Sequence, residues 1–169
     1  MNPRLTLHME NGARIVIELL PEAAPNTVNS LIWVASHGWM DNHAIERIVP
    51  GNWIDLSYTA FGQKEAQYLI PNEFDLHPEI EPLDSLPGCV CMGGYGEAGL
   101  ASCEIFFPLR PCPDHKGVYP VIGKVLEAEE SAGAGSAESF GAGELLMRTE
   151  IGGIRRLTVL QGEGLPRIC

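Results

Sequence analysis

Positive charge is scarce in this chain of 169 residues: 11 Lys and Arg stand against 22 Asp and Glu, for a formal net charge of −11. A surface this acidic repels phosphate, which argues against nucleic acid and anionic membrane as partners. No run approaches the ~18 uninterrupted apolar residues of a membrane-spanning helix. The opening stretch Met1-Asn2-Pro3-Arg4-Leu5 has no apolar run of the secretory kind. The five cysteines (Cys89, Cys91, Cys103, Cys112 and Cys169) are odd in number and lack framework spacing, which fits a reducing compartment better than secretion. No internal repeat is present. These absences predict a soluble cytoplasmic protein. What remains is ordinary globular composition, 45% hydrophobic and 20% charged, in a length suited to one domain spanning residues 1–169.

Turn chemistry and periodicity place the first elements. Leu5 to Met9 and Ala13 to Leu19 read as strands, and Asn11-Gly12 between them is a hairpin signal. Val28, Leu31, Ile32 and Ala35 follow the i, i+3, i+4, i+7 pattern of one helix face. Pro25 suits the first turn of that helix, and Gly38 suits its end. Beyond it come short apolar runs broken by Gly and Pro: Ile45 to Val49, Trp53 to Tyr58, Cys89 to Met92, Glu104 to Phe107, Val118 to Val125 and Ile154 to Leu160. Residues 71–88, rich in proline and acid, read as loop. Many short strands with few helices predict a β-barrel or sandwich. Residues 128–143, AEESAGAGSAESFGAG, are low in complexity and predict a mobile loop or insertion, because such composition buries little against its ordering entropy.

Two motifs invite functional readings and lack the context for them. Gly94-Tyr95-Gly96-Glu97-Ala98-Gly99 matches GxGxxG, but a strand follows where a dinucleotide site needs a helix, so it reads as a glycine-rich loop. Cys112-Pro113-Asp114-His115 has no second Cys/His pair at zinc spacing and reads as a turn. Cys89 and Cys91 share one strand face and read as small apolar packing residues.

Five segments, in order, resemble the cyclophilin family. Pro21 to Asn29 is similar to the stretch that opens that family's first helix. Ile45-Glu46-Arg47-Ile48-Val49-Pro50-Gly51 resembles its FHR-(V/I)-I-PG strand. Gly88 to Met92, Glu104 to Phe107 and Ile122-Gly123-Lys124-Val125 resemble three further strands, with bacterial spacing between Met92 and Phe107. The resemblance implies a mainly β fold, a closed eight-stranded antiparallel barrel capped by two short helices. It also implies peptidyl-prolyl cis-trans isomerase activity on proline-containing peptides or protein clients, by a monomer with no cofactor and no metal.

By the same resemblance Arg47 stands at the catalytic arginine and Phe106 at a pocket phenylalanine. Asn52 replaces a second pocket phenylalanine and Trp53 a methionine. Asp55 and Glu104 replace glutamines, Gly94 replaces an asparagine that contacts the peptide backbone, and Tyr119 replaces a histidine. His115 falls near an apolar pocket position. Asp55 and Glu104 are expected near Arg47, where they would hold its guanidinium in ion pairs. Two readings of Arg47 stay open, substrate donor or structural ion-pair partner, because a bidentate pair occupies the fork. Glu46, by alternation, faces away from Arg47 and needs a partner if that side is interior. The alternative to catalysis is a non-catalytic peptide-binding module on the same scaffold, with a groove made wetter and more acidic by Asn52, Asp55 and Glu104. The segment Pro111 to His115 lacks the groove tryptophan through which cyclophilins bind cyclosporin, which implies weak cyclosporin binding.

Overall fold

Alternating apolar residues pair the first two strands. β1 (Arg4–Met9) and β2 (Arg14–Leu19) run antiparallel, with Leu5 opposite Ile17 and Leu7 opposite Ile15. These four side chains are buried, while Thr6 and His8 between them are half-buried, the period of two expected of a sheet with one face on the core. Gly12 adopts φ +86°, a left-handed conformation that costs glycine nothing. The computed structural model describes residues 1–9, 12–44, 47–58, 62–130, 133–134 and 145–152, with side chains for all of these except 43, 44, 47 and those from 127 onward.

The expected helix, α1, spans Pro25–Ser36 and buries Val28, Leu31, Ile32 and Ala35. Its N-cap residue, Ala24, has no side chain to accept the free amides of the first turn. Glu73 supplies the acceptor from far along the chain. Its carboxylate takes the amides of Asn26 at 3.2 Å and Thr27 at 2.8 Å, and the Thr27 hydroxyl at 2.6 Å. A negative group at a helix N-terminus also complements the helix dipole. Glu73 opens α2 (Glu73–Leu76), itself capped by Asn72, whose side chain accepts from the Phe74 amide at 2.9 Å. This short helix interrupts the segment 71–88 that was expected to be loop throughout.

The remaining strands are β3 (His43–Ala44), β4 (Arg47–Val49), β5 (Trp53–Asp55), β6 (Leu69–Ile70), β7 (Cys89–Gly94), β8 (Leu100–Pro108), β9 (Val121–Glu130), β10 (Gly133–Ala134) and β11 (Leu145–Gly152). They join one antiparallel sheet in the order β3-β11-β1-β2-β9-β7-β8-β5-β4, with β10 on β9 and β6 on β8. The expectation of a closed eight-stranded barrel is corrected: the sheet curls without closing. Its end strands β3 and β4 pair with β11 and β5, and no ladder joins them to each other among the described residues. Ladders of two and three residues leave little edge for a further partner.

Three strand expectations also shift. β5 stops at Asp55 rather than Tyr58. β9 starts at Val121, because the amides of Val118 and Tyr119 both donate to the His115 carbonyl in a preceding turn. β9 then runs on to Glu130, so residues 128–130 and 133–134 of the low-complexity segment are strand rather than loop. Arg14 and Ile15 of β2 pair with Glu129 and Ala128, and that backbone ladder holds a stretch whose side chains alone would not order it. β11 was not anticipated; it pairs along β1, with Ile151 opposite Leu5. The strand expected over residues 154–160 and the character of Glu46 lie outside the described residues. The main core lies between the sheet and α1, which packs on β8 and β11.

Candidate active site

The site arises on the other face of the same sheet. Antiparallel partners across the ladders run Arg47–Asp55 between β4 and β5, Asp55–Phe106 between β5 and β8, and Phe106–Cys91 between β8 and β7. Their neighbours Ile54, Phe107 and Ile105 point into the main core. The outward set forms a second, smaller apolar cluster: Cys91, Phe106 and Val121, with Trp53, Cys89 and Tyr119 packed around them. The Cys91 thiol is pushed up to about 12 by burial, despite a hydrogen bond with Ser85. It is a packing group, as its sequence position suggested, and carries no thiolate at neutral pH.

Above this floor lies a groove of about 570 Å³. One end is aromatic. The Phe106 ring meets His115 at 5.6 Å and 89° and Tyr119 at 5.8 Å and 90°. His115 meets Tyr119 at 4.9 Å and 86° and Trp53 at 5.4 Å and 53°. Edge-to-face contacts of this kind hold rings at fixed angles, and the four rings together wall the hollow at this end of the groove. His115 is carried on the Pro113–His115 turn, where its amide donates to the Cys112 carbonyl at 3.0 Å. Its Nδ1 is buried without a hydrogen-bond partner among the described residues. Burial holds the imidazole pKa below its ordinary value, partly offset by the Asp114 charge and reinforced by Arg110. The ring is therefore neutral at pH 7, and the hollow stays apolar.

The other end is polar, lined by Asp55, Ser57, Gly93, Gly94, Tyr95 and Glu104. Glu104 is only 7% exposed. Its Oε1 accepts from the Tyr95 hydroxyl at 2.6 Å and from the Tyr58 amide. The Tyr58 ring stacks on Tyr95 at 5.7 Å and 11°. Tyr58 donates in turn to the Tyr68 carbonyl and accepts the Ser102 amide at 3.0 Å, and the Tyr68 hydroxyl pairs with Ser30 of α1 at 2.9 Å. Burial pushes the Tyr58 phenol up to about 12 and raises that of Tyr68 as well, so both stay protonated. A hydrogen-bonded chain thus runs from the groove floor to the first helix.

Of the residues expected from the sequence, Trp53, Asp55, Gly94, Glu104, Phe106, His115 and Tyr119 line this one groove. Asn52 does not. Its Oδ1 accepts from Arg110 Nε at 2.7 Å and its Nδ2 donates to the Pro50 carbonyl at 3.3 Å, which turns it toward the 108–111 turn. Arg47 is placed by its backbone in β4, opposite Asp55; the expected ion pairs of its guanidinium lie outside the described part of the structure. Sequence reasoning missed Tyr95, Tyr58, Ser57 and Arg110. The signal for Tyr95 was present, an aromatic residue inside the GxGxxG stretch, which folds as a loop around a single Gly96–Ala98 turn. Gly99 closes that loop at φ +119°, where a Cβ would sit 2.5 Å from the Ile70 carbonyl oxygen, and its own carbonyl accepts the Tyr95 amide at 2.8 Å.

Among the described residues no group of three His, Cys, Asp or Glu side chains is placed to hold a metal ion, and no helix is long and apolar enough to cross a membrane. What the groove offers is an aromatic seat for a small apolar ring beside hydrogen-bonding groups suited to a peptide backbone.

Comparison with known proteins points the same way. The family model for cyclophilin type peptidyl-prolyl cis-trans isomerase/CLD matches residues 4–133. Peptidyl-prolyl cis-trans isomerase B of Bacillus subtilis (strain 168) is 29% identical over 126 residues, covering 73% of this chain and 84% of the relative. The crystal structure of cyclophilin AquaCyp293 from Hirschia baltica superposes with a TM-score of 0.70 at 14% identity, over 87% of this chain and 73% of that one. A Cryptosporidium parvum cyclophilin type peptidyl-prolyl cis-trans isomerase, crystallised in the presence of the dipeptide Ala-Pro, gives a TM-score of 0.67 at 15% identity, over 89% of this chain and 99% of the other. At such identities the solved structures establish a shared fold.

Proposed function

The chain belongs to the cyclophilin-type peptidyl-prolyl cis-trans isomerase family, and from that premise we propose that the groove outside β5, β7 and β8 rotates X-Pro bonds of polypeptides, with Arg47 as the donor to the prolyl nitrogen. The obstacle is the partial double bond of the amide, with a barrier of about 18–20 kcal/mol. Uncatalysed rotation at proline takes tens to hundreds of seconds. No bond need break. The catalyst must hold the twisted amide better than either planar form.

Two devices do this. The aromatic hollow of Trp53, Phe106, His115 and Tyr119 grips the pyrrolidine ring and excludes water, while the acyl side of the bond stays free to turn. A guanidinium N–H then donates to the prolyl nitrogen, whose lone pair becomes available only as conjugation is lost. A hydrogen bond to a charged group contributes about 1.5–3 kcal/mol, or roughly one to two decades of rate. The ladder register supports the assignment: residues directly opposite in an antiparallel pair share a face, so position 47 lies on the face that carries Asp55 and Phe106. Gly94, Asp55 and Glu104 flank the peptide on the polar side.

The observation that carries this reading is the walled aromatic hollow at the end of that register. A monomer is the proposed working unit. The free thiols of Cys89, Cys91, Cys103 and Cys112 support a reducing compartment such as the cytoplasm. The test is cis/trans exchange in an Ala-Pro peptide followed by NMR at high protein concentration. Exchange is expected to accelerate well above background, and Arg47→Ala is expected to slow it about 10- to 100-fold. An unaccelerated rate would overturn catalysis. Peptide binding without acceleration would establish instead the non-catalytic module, which the acidic pair Asp55 and Glu104 and the diversion of Asn52 to Arg110 favour.

A further inference from the structure

The polar end of the groove carries a feature that rotation of an X-Pro bond does not require. Tyr95 is 47% exposed on the groove wall. One side of its ring stacks on Tyr58, and its hydroxyl is bonded to a nearly buried carboxylate, that of Glu104. Three consequences follow. Stacking holds the ring at a fixed angle. The short bond to a carboxylate draws the phenolic proton away and enriches the ring in electron density, which strengthens its attraction for a cation. The carboxylates of Glu104 and Asp55 line the same wall, and as two acids against the single guanidinium of Arg47 they keep the potential there negative.

Glu104 and Phe106 stand two residues apart on one face of β8, hence about 6–7 Å apart. That is the span of one to two residues of an extended peptide. We infer that Tyr95, backed by Glu104, forms a subsite for a lysine or arginine side chain within two residues of the substrate proline, so that the protein selects basic X-Pro segments. The inference rests on the reading of the aromatic hollow as the proline seat. A lysine stem lies along the Tyr95 ring while its ammonium faces the groove acids; the apolar stem and charged head match the aromatic wall and the carboxylates in turn.

The test uses a series of proline peptides carrying Lys, norleucine or Glu at each of the two positions on either side of proline. Rates are read by exchange NMR and affinities by titration of the same peptides. In the parent protein the best Lys peptide is expected to exceed its norleucine counterpart roughly three- to tenfold in kcat/KM, with Glu peptides lowest. In Tyr95→Leu, which leaves the net charge unchanged, the Lys-to-norleucine ratio should approach one. In Tyr95→Phe, which keeps the ring and removes the O–H donor, it should fall part of the way. Equal turnover of Lys and norleucine peptides, both above background, would overturn the subsite and leave the isomerase reading intact. A preference that survives in both variants would trace to the acids Glu104 and Asp55 or to the charge of the whole chain, without the Tyr95 ring, and would likewise overturn it. If no peptide is turned over, the isomerase reading fails, and the affinity ratios decide the subsite by the same criteria.

Discussion

Along β8, neighbouring residues face two different interiors. Ile105 and Phe107 enter the main core between the sheet and α1, while Glu104 and Phe106 form the floor and wall of the groove. All four are at most 7% exposed, so burial alone does not tell the two sides apart. Chemistry does. At Ile105 and Phe107 the inner side is apolar and gains its stability from close packing. The outer side places a carboxylate beside a phenylalanine and leaves a hollow that packing would otherwise fill. A sheet face that keeps an unfilled aromatic hollow and a hydrogen-bonded acid is spending burial on recognition.

The most demanding trial of this contrast pairs two phenylalanines. Phe107→Ala, inside, is expected to lower unfolding free energy by about 3–5 kcal/mol, read by denaturant titration. Phe106→Ala, outside, should destabilise less, because its cavity opens to an existing groove, while lowering kcat/KM by at least about tenfold through loss of a proline-pocket wall. Equal stability losses with unchanged turnover would dissolve the distinction between the faces.

The two nearly buried acids extend the contrast. Glu73→Ala removes the acceptor for three donors at the start of α1, and an expected loss of about 2–3 kcal/mol should be visible as a lowered unfolding midpoint. Glu104→Gln keeps an oxygen for the Tyr95 hydroxyl and the Tyr58 amide, so its effect on stability should be smaller than that of Glu73→Ala, and its main effect should fall on the preference for basic peptides. A larger stability loss at position 104 would place both acids in the same structural role.

Protonation of His115 should give the mildest effect. Its folded pKa is held below the unfolded value, mainly by burial, so the unfolded chain takes up its proton first as pH falls. Stability and the apolar character of the hollow are complete above about pH 6.5 and decline below it. A modest fall in turnover between about pH 6.5 and 5, flattened in His115→Phe, is expected from pH–rate profiles. An unchanged slope in that variant would remove His115 from the pocket's response to acid.

How much of this could be read in advance follows from the range of each interaction. The β1–β2 hairpin needed only Asn11-Gly12 and its flanking alternation. α1 needed its apolar spacing, Pro25 and Gly38. The parity of β8 correctly separated Glu104 and Phe106 from Ile105 and Phe107, because strand alternation is local. The resemblance to cyclophilins then supplied seven of the groove residues. β11 escaped notice, and β9 ran past its expected end into an Ala/Gly/Ser/Glu stretch, because their partners β1 and β2 lie more than 100 residues away and ladder bonds leave no mark in composition. Asn52 was expected in the groove and was instead taken by Arg110, a contact across 58 residues.

Local composition and spacing were thus enough for the hairpin, α1 and the parity of β8, since turn preferences and side-chain periodicity act over a few neighbouring peptide units; the fold family and the aromatic residues of the hollow came from the resemblance to cyclophilins. Tertiary folding alone decided that Glu73 would cap α1, that Tyr95 would lean on Glu104, and that four rings would stop short of filling the space between them. Those outcomes depend on which distant strands share a ladder and on the few ångströms of room left once they do.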